Sequence, residues 1–284
     1  MLAGKLMYSL MIIIVIINTV NGNCPDDEPP PPPSPIPEVP YVISGKFYSP
    51  SNTSVNDAPV CPMARDCKEW YYDLGAQNSG IYTVKPDDGE PFQVYCESGW
   101  TVFQRRQDGS VDFYRGWTDY ENGFGDLNSE FWLGLSKIHR LTKEGTHRLD
   151  IYLTYNSWYT DHVVYSSFNI SDRDTEYTIN LQYSYGSAYN SHRYSENPRT
   201  IDDSMTGRDS LNGMKFSTKD NDNDYHRGNC AEVHHGAWWY NSCSDSNLNG
   251  LYSATNETGI FWKDCEPETE SIRSGTRMRI RRDS

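Results

Sequence analysis

The segment Asp220-Asn221-Asp222-Asn223-Asp224-Tyr225-His226-Arg227-Gly228-Asn229-Cys230, closed by Cys243 thirteen residues later, constrains this chain more than any other stretch. Three carboxylates alternate with asparagines over five residues. Charges of one sign at that spacing repel unless protons or a hard cation neutralise them, and calcium takes such an oxygen-rich ligand set. An EF-hand loop needs glycine at its sixth position and glutamate at its twelfth. Counted from Asp220, those places hold Tyr225 and Ala231, so the EF-hand is excluded. A solvated acidic turn, in which Asn and Asp serve the backbone locally, accounts for the same spacing. The residues alone leave calcium and turn side by side.

The chain has 284 residues, room for one large domain or two small ones. Its net charge of −14 leaves no basic surplus to neutralise phosphates, which argues against nucleic acid as a partner. Seven cysteines with eight tryptophans and 21 tyrosines predict a compact, oxidised, extracellular domain. The N-terminus agrees: Lys5 precedes an apolar run from Leu6 to Ile17, and Val20-Asn21-Gly22 supplies small residues. Residues 1–22 therefore read as a secretory signal peptide. A signal anchor is the rival. The run is shorter than the roughly 20 residues that span a bilayer, and no positive cluster follows it. With no later segment of that kind, the processed chain is expected to be secreted and to lack a membrane span. Residues 23–60 are rich in proline, with Pro29 to Pro33 beside Asp26, Asp27 and Glu28. Proline at that density favours extended polyproline II, hence a semi-rigid acidic stalk. Neither collagen triplets nor heptads accompany it.

From Cys61 onward the chain looks globular, giving a third region over residues 61–284. Leu135, Ile138 and Leu141 share one face of a helix predicted over Leu133 to Leu141. Leu149, Ile151, Leu153 and Tyr155 alternate with Asp150, Tyr152 and Thr154, as a half-buried strand would. Val163 to Ile170 and Tyr177 to Tyr183 give two more strands, and such close intervals predict an antiparallel meander. Between Tyr185 and Leu211 the pattern gives way to Ser, Asn, Asp and Arg, read as a long surface loop or insertion. Phe216 to Trp262 is rich in Gly, Asn and aromatics but aperiodic, so something other than a sheet ladder must hold it. A metal and a disulfide would serve.

Several long blocks carry a resemblance. They include Gly80-Ile81-Tyr82-Thr83-Val84, Val94-Tyr95-Cys96 and Gly99-Trp100-Thr101-Val102-Phe103-Gln104-Arg105-Arg106. Asp108-Gly109-Ser110-Val111-Asp112-Phe113, Gly123-Phe124-Gly125 and Glu130-Phe131-Trp132-Leu133-Gly134 follow. Phe216-Ser217-Thr218-Lys219-Asp220, Gly236-Ala237-Trp238-Trp239-Tyr240 and Ser246-Asn247-Leu248-Asn249-Gly250 complete the set. From about Arg65 to Arg281 the chain resembles the fibrinogen-related domain of ficolins, tachylectin-type lectins, tenascins, angiopoietins and the fibrinogen chains. The resemblance implies an α+β fold: a central antiparallel sheet, short flanking helices and a loop-rich C-terminal part carrying calcium and the ligand pocket. It implies Ca2+ held by the side chains of Asp222 and Asp224 and by the backbone carbonyls of His226 and Gly228, with Asp220 just outside. It also implies disulfides Cys67–Cys96 and Cys230–Cys243, and a cis peptide at Ser242–Cys243.

This chain departs from the acetyl-binding members at the pocket. Where they carry tyrosine, histidine and tyrosine, the matching positions hold His234, Ser244 and Asn256. Aromatic walls hold an acetyl methyl group, and polar replacements weaken that preference. His234, Ser242, Ser244 and Asn256 are therefore the candidate ligand residues, and acetylated sugars are not expected to bind through this pocket. Trp238 and Trp239 are assigned to the core. Asn52, Asn169 and Asn256 head N-glycosylation sequons. His226, His234 and His235 lack the free cysteines that would complete a zinc site. No nucleophile elbow, HExxH or phosphate loop is present, so no enzyme activity is expected. Of the remaining cysteines, Cys61 and Cys265 would tie the domain's ends, leaving Cys24 for an interchain disulfide and a dimer. The expected function is calcium-dependent recognition of glycans on cell or microbial surfaces. A matrix or receptor-ligand role, binding a protein receptor, is the alternative.

Overall fold

Alternation of buried and outward residues builds the centre of this molecule. The structure, a computed structural model, describes residues 63–156, 159–183, 204–206, 210–262 and 275–283, with three short strand segments named below. The signal peptide, most of the stalk, Cys24, Asn52, Cys61, Cys265 and most of the stretch between Tyr185 and Leu211 lie outside the described residues.

Within the proline-rich segment, β1 (Tyr41–Ile43) pairs antiparallel with β2 (Lys46–Tyr48), where proline content predicts polyproline II. Both triplets are β-branched or aromatic-rich and flank Ser44-Gly45, so strand propensity prevails locally. Helix α1 (Cys67–Tyr72) is capped by Asp66, whose carboxylate accepts the Glu69 N–H at 3.0 Å. Strands β3 (Gly80–Val84), β4 (Phe92–Glu97) and β5 (Trp100–Arg106) follow as a meander. Then come α2 (Trp117–Asn122), β6 (Phe124–Gly125), β7 (Phe131–Trp132) and α3 (Leu135–Thr142). Leu135, Ile138 and Leu141 are buried on one face of α3, as their spacing predicts. Gly134 precedes it at φ +110°, where a Cβ would strike the Asn122 backbone at 2.7 Å.

The second meander is β8 (His147–Asn156), β9 (Tyr159–Ile170) and β10 (Ile179–Tyr183), with β11 (Tyr189–Asn190) also on β9. Helix α4 (Cys230–Val233) and the pair β12 (Ser246–Asn247) and β13 (Phe261–Trp262) lie in the late loops. The last strand, β14 (Gly275–Arg282), completes an antiparallel sheet ordered β10-β9-β8-β14-β5-β4-β3. The C-terminal strand thus stands at the sheet's centre and joins the two meanders. Thr276, Met278 and Ile280 face the core, while Arg277 and Arg279 face outward. This is the α+β architecture the resemblance implies.

Three details differ from the sequence reading. Asp150, placed by alternation on the solvent side, is 2% exposed because His162 and Arg279 cover it. The third strand starts at Ile179, because Glu176 and Tyr177 adopt φ of +56° and +49° to close a 3-10 turn. The run read as a surface loop contributes Met205 and Leu211 to the core, both fully buried.

Met278 sits in register between Ile151 and Gln104. Met278→Ala should cost about 2–5 kcal/mol through its cavity, read as a lower urea midpoint with unchanged slope. Arg281→Ser, on the outward side of the same strand, should cost less than about 1 kcal/mol.

Candidate functional site

Residues 216–262 contain little regular structure beyond α4, β12 and β13, and buried side chains do the work of a ladder. Gln104 on β5 donates from Nε2 to Leu248 O (2.9 Å) and Asn249 Oδ1 (3.2 Å). Arg106 donates from Nη1 to Gly250 O at 2.7 Å, with its guanidinium 3.8 Å from the Phe113 ring centroid. Its counter-charge is Glu130, fully buried, whose Oε1 accepts the N–H groups of Gln107 (2.8 Å) and Gly109 (3.0 Å). Asn247 Nδ2 donates to His234 O at 3.0 Å, and its Oδ1 accepts the Tyr240 hydroxyl at 2.9 Å. Asn249 Nδ2 donates to Ala237 O at 3.0 Å. Both asparagines are 0% exposed. The sequence reading quoted them only as part of a block. Their signal was present as amides among core aromatics, in a stretch with no periodicity to supply backbone partners.

The acidic loop rests on this scaffold with a division of labour. Asn221, Asn223 and Asn229 bind inward, to Glu176 Oε2 (3.3 Å), Phe216 O (2.8 Å) and Thr218 O (3.0 Å). Asn229 also caps α4 by accepting the Ala231 N–H at 2.8 Å. Asp220 is engaged by the Trp117 N–H (2.8 Å) and the Thr218 hydroxyl (2.6 Å), which sets it apart from the other two carboxylates. Asp224 accepts the N–H groups of His226 and Cys230, both at 2.8 Å. Asp222 accepts the Asp224 N–H at 3.3 Å. The Cys230–Cys243 and Cys67–Cys96 disulfides are present, and the Ser242–Cys243 peptide is cis.

Burial pushes the Asp224 carboxyl above its ordinary range, against the two backbone donors, and the neighbouring Asp222 raises it further. Among the described residues neither Asp222 nor Asp224 has a Lys or Arg ion pair. The carbonyls of His226 and Gly228 belong to the same turn, and His226 Nδ1 lies 2.9 Å from Gly228 O. Two crowded carboxylates with loop carbonyls form an all-oxygen donor set, which fits a hard divalent cation. A second cluster brings His226, Cys230 and Cys243 ligand atoms within 4.8 Å. Both sulfurs are already joined to each other, so no thiolate is present for a softer metal.

Of the four candidate ligand residues, two are buried and two are exposed. His234 is 6% exposed, with Nδ1 2.8 Å from Glu257 O and its ring stacked on Tyr240. Ser244 is 3% exposed and accepts the Ser246 N–H at 3.1 Å. Both are packing groups here. Ser242 and Asn256 stand on the surface, and Asn256 Oδ1 accepts the Thr258 hydroxyl at 2.6 Å. Tyr225 (74% exposed) and Val233 (45%) stand exposed on the same segment. The sequence reading did not single them out, although an aromatic amid so polar a run is a usable sign. Trp238 and Trp239 are fully buried, as assigned. Asn169 is half-buried on β9 and accepts from Asn180 Nδ2 at 3.0 Å.

Asn247→Ala leaves the carbonyl of His234 and the hydroxyl of Tyr240 without their partner in a dry interior. The expected loss is about 2–3 kcal/mol in urea denaturation, larger than for Asn256→Ala on the surface, which should fall within about 0.5 kcal/mol.

A family model described as the C-terminal globular domain of fibrinogen beta and gamma chains matches residues 63–283. Fibrinogen C domain-containing protein 1 of Xenopus tropicalis is 41% identical over 231 residues, 76% of this chain and 47% of that protein. Fibrinogen-like protein A of Apostichopus parvimensis is 38% identical over 229 residues, covering 77% of this chain and 75% of that protein. The chain thus spans about half the length of the first relative and three quarters of the second. The fibrinogen-like globe domain of human ANGPTL2 superposes with a TM-score of 0.67 at 34% identity, over 78% of this chain and 100% of that one. Lamprey fibrin D-dimer, complexed with the peptide ligand Gly-His-Arg-Pro-amide, gives 0.63 at 31% identity, over 81% and 78%. With sequence blocks, sheet order and both disulfides in agreement, this chain belongs to the fibrinogen C-terminal globular domain family.

Proposed function

We propose that this protein is a secreted recognition module, ordered by calcium, that binds glycans on cell or microbial surfaces at its cystine-closed loop and does no chemistry on them. One observation carries the reading. Among the described residues the paired Asp222 and Asp224 lie without a basic ion-pair partner, in a loop whose other side is fixed by half-buried amides. Bound calcium would neutralise that pair, with the His226 and Gly228 carbonyls completing its protein ligands. The chain's own residues then do the recognition. Tyr225, Val233, Ser242 and Asn256 supply an aromatic face, an aliphatic patch, a hydroxyl and an amide from the exposed rim. The inward placement of His234 and Ser244 supports weak rather than strong selection for acetyl groups.

A protein ligand is the second reading. The exposed Tyr225 and Val233 favour it, as does the peptide bound by the lamprey relative. Sites of either kind gain from multivalency, for which Cys24 offers an interchain disulfide.

Calcium at about a hundred times its Kd should stabilise the protein by about 2.7 kcal/mol, so a chelator should lower Tm. Asp222→Asn and Asp224→Asn should each remove that difference. Identical melting of the unaltered protein in chelator and in millimolar calcium would refute the metal. A glycan array with and without calcium should show a calcium-dependent sugar signal; silence across the array, with calcium-dependent melting intact, would transfer the site to a protein ligand.

A further inference from the structure

The outward face of the central sheet carries a row of arginines that the calcium loop leaves unexplained. Arg277 on β14 stands in register with Arg105 on β5 and with Tyr152 on β8. Arg277 and Arg279 lie over the Tyr152 ring at 4.6 and 4.7 Å, and Arg279 and Arg281 lie over Trp100 at 4.8 and 4.4 Å. Arg105 lies over Tyr95 at 4.1 Å. All four are half-buried, and the Arg279 side chain is 12% exposed.

The charges do not balance. Glu97 pairs with both Arg277 and Arg279, each at 2.9 Å, and Asp150 pairs with Arg279 at 2.8 Å. Arg148, which lies opposite Arg281, is engaged by Asp283 at 2.9 Å. Among the described residues no carboxylate pairs with Arg105 or Arg281. Arg105 and Arg281 therefore lack a direct ion pair, Arg105 feeling only the nearby charge of Glu97, on a chain of net charge −14. Arginines directly opposed across a ladder destabilise a sheet, and Arg105 opposite Arg277 is such a pair. Burial, with the charge of Arg277, lowers the proton affinity of Arg105.

We propose that this row, Arg105, Arg277, Arg279 and Arg281, is a docking surface for a sulfated linear polysaccharide, separate from the calcium loop. Stacking on Tyr95, Tyr152 and Trp100 occupies the guanidinium faces. Arg279 spends its N–H edge on Glu97, Asp150 and Tyr152, Arg277 spends Nη1 on Glu97, and Arg105 spends Nη1 on the carbonyls of Leu127 and Ser129. Among the described residues Arg281 makes none of these bonds, so its edge is the one open to paired oxygens, the arrangement in which arginine reads oxyanions. Positions 277, 279 and 281 recur at steps of about 6.5–7 Å along one strand, which suits a slender extended polyanion. A nucleic-acid duplex is broader and would bring its phosphates over the acidic remainder of the molecule.

The test uses the full-length protein and heparin of defined length in titration calorimetry at several salt concentrations, with calcium and again with chelator. Binding is expected in both, weakening as salt rises. Arg281→Ser and Arg105→Gln should each weaken it by roughly two- to fivefold, the scale of an exposed ion pair, with Arg281→Ser leaving Tm in place. Binding lost in chelator would assign the polysaccharide to the calcium loop and overturn this surface. Heparin affinity unchanged in Arg281→Ser and Arg105→Gln would do the same. Equal, arginine-dependent binding of a DNA duplex of matched charge would reject the sulfated glycan in favour of any polyanion. If Arg105→Gln fails to fold, Arg281→Ser decides alone, since Arg281 contributes a ring contact at the strand's end.

Discussion

The hydrogen bonds from Gln104 and Arg106 to the carbonyls of Leu248 and Gly250 are the contact on which the rest depends. They attach an aperiodic loop region to β5, the strand beside the central β14. A loop of this length cannot bury its backbone unpaired, because each orphaned polar group costs as much as a lost hydrogen bond. Gln104, Arg106, Asn247 and Asn249 meet that demand with side chains that donate where a neighbouring strand would. Arg106 does so as a buried charge, tolerable because Glu130 faces it and is itself held by backbone N–H groups.

From this anchorage the acidic loop acquires its two sides. Asparagines and Asp220 turn inward and fix the turn, leaving Asp222 and Asp224 crowded together at its edge. Burial, with Asp222 beside it, raises the proton affinity of Asp224. The same segment leaves Tyr225 and Val233 exposed.

The central sheet shows the same economy on a larger scale. One face of β14 fills the core with Thr276, Met278 and Ile280; the other stacks Arg277, Arg279 and Arg281 on aromatic rings. Because β14 is the chain's final strand yet lies between β8 and β5, the two meanders become one sheet only when the C-terminus arrives. Pairings so distant in sequence raise the contact order, which slows folding.

Much of this was legible in the residues. Period-two alternation located β8 and β9, and helical spacing located α3, because each is a local pattern imposed by one buried face. The long blocks of resemblance carried the fold class and both disulfide pairs, which spacing alone could not select. The sequence by itself determined the secondary elements with clean periodicity and the oxygen-rich loop. Only the tertiary structure decided that Asp150 is buried, that His234 and Ser244 point inward, that Asn247 and Asn249 replace a ladder, and that unpaired arginines share one face. The physical reason is common to all four. A polar side chain's role depends on which backbone group or charge it meets, and that meeting is set by how loops and strands are folded against each other, from a dozen residues away for Asn247 and Asn249 to more than a hundred for Asp150 and Arg279.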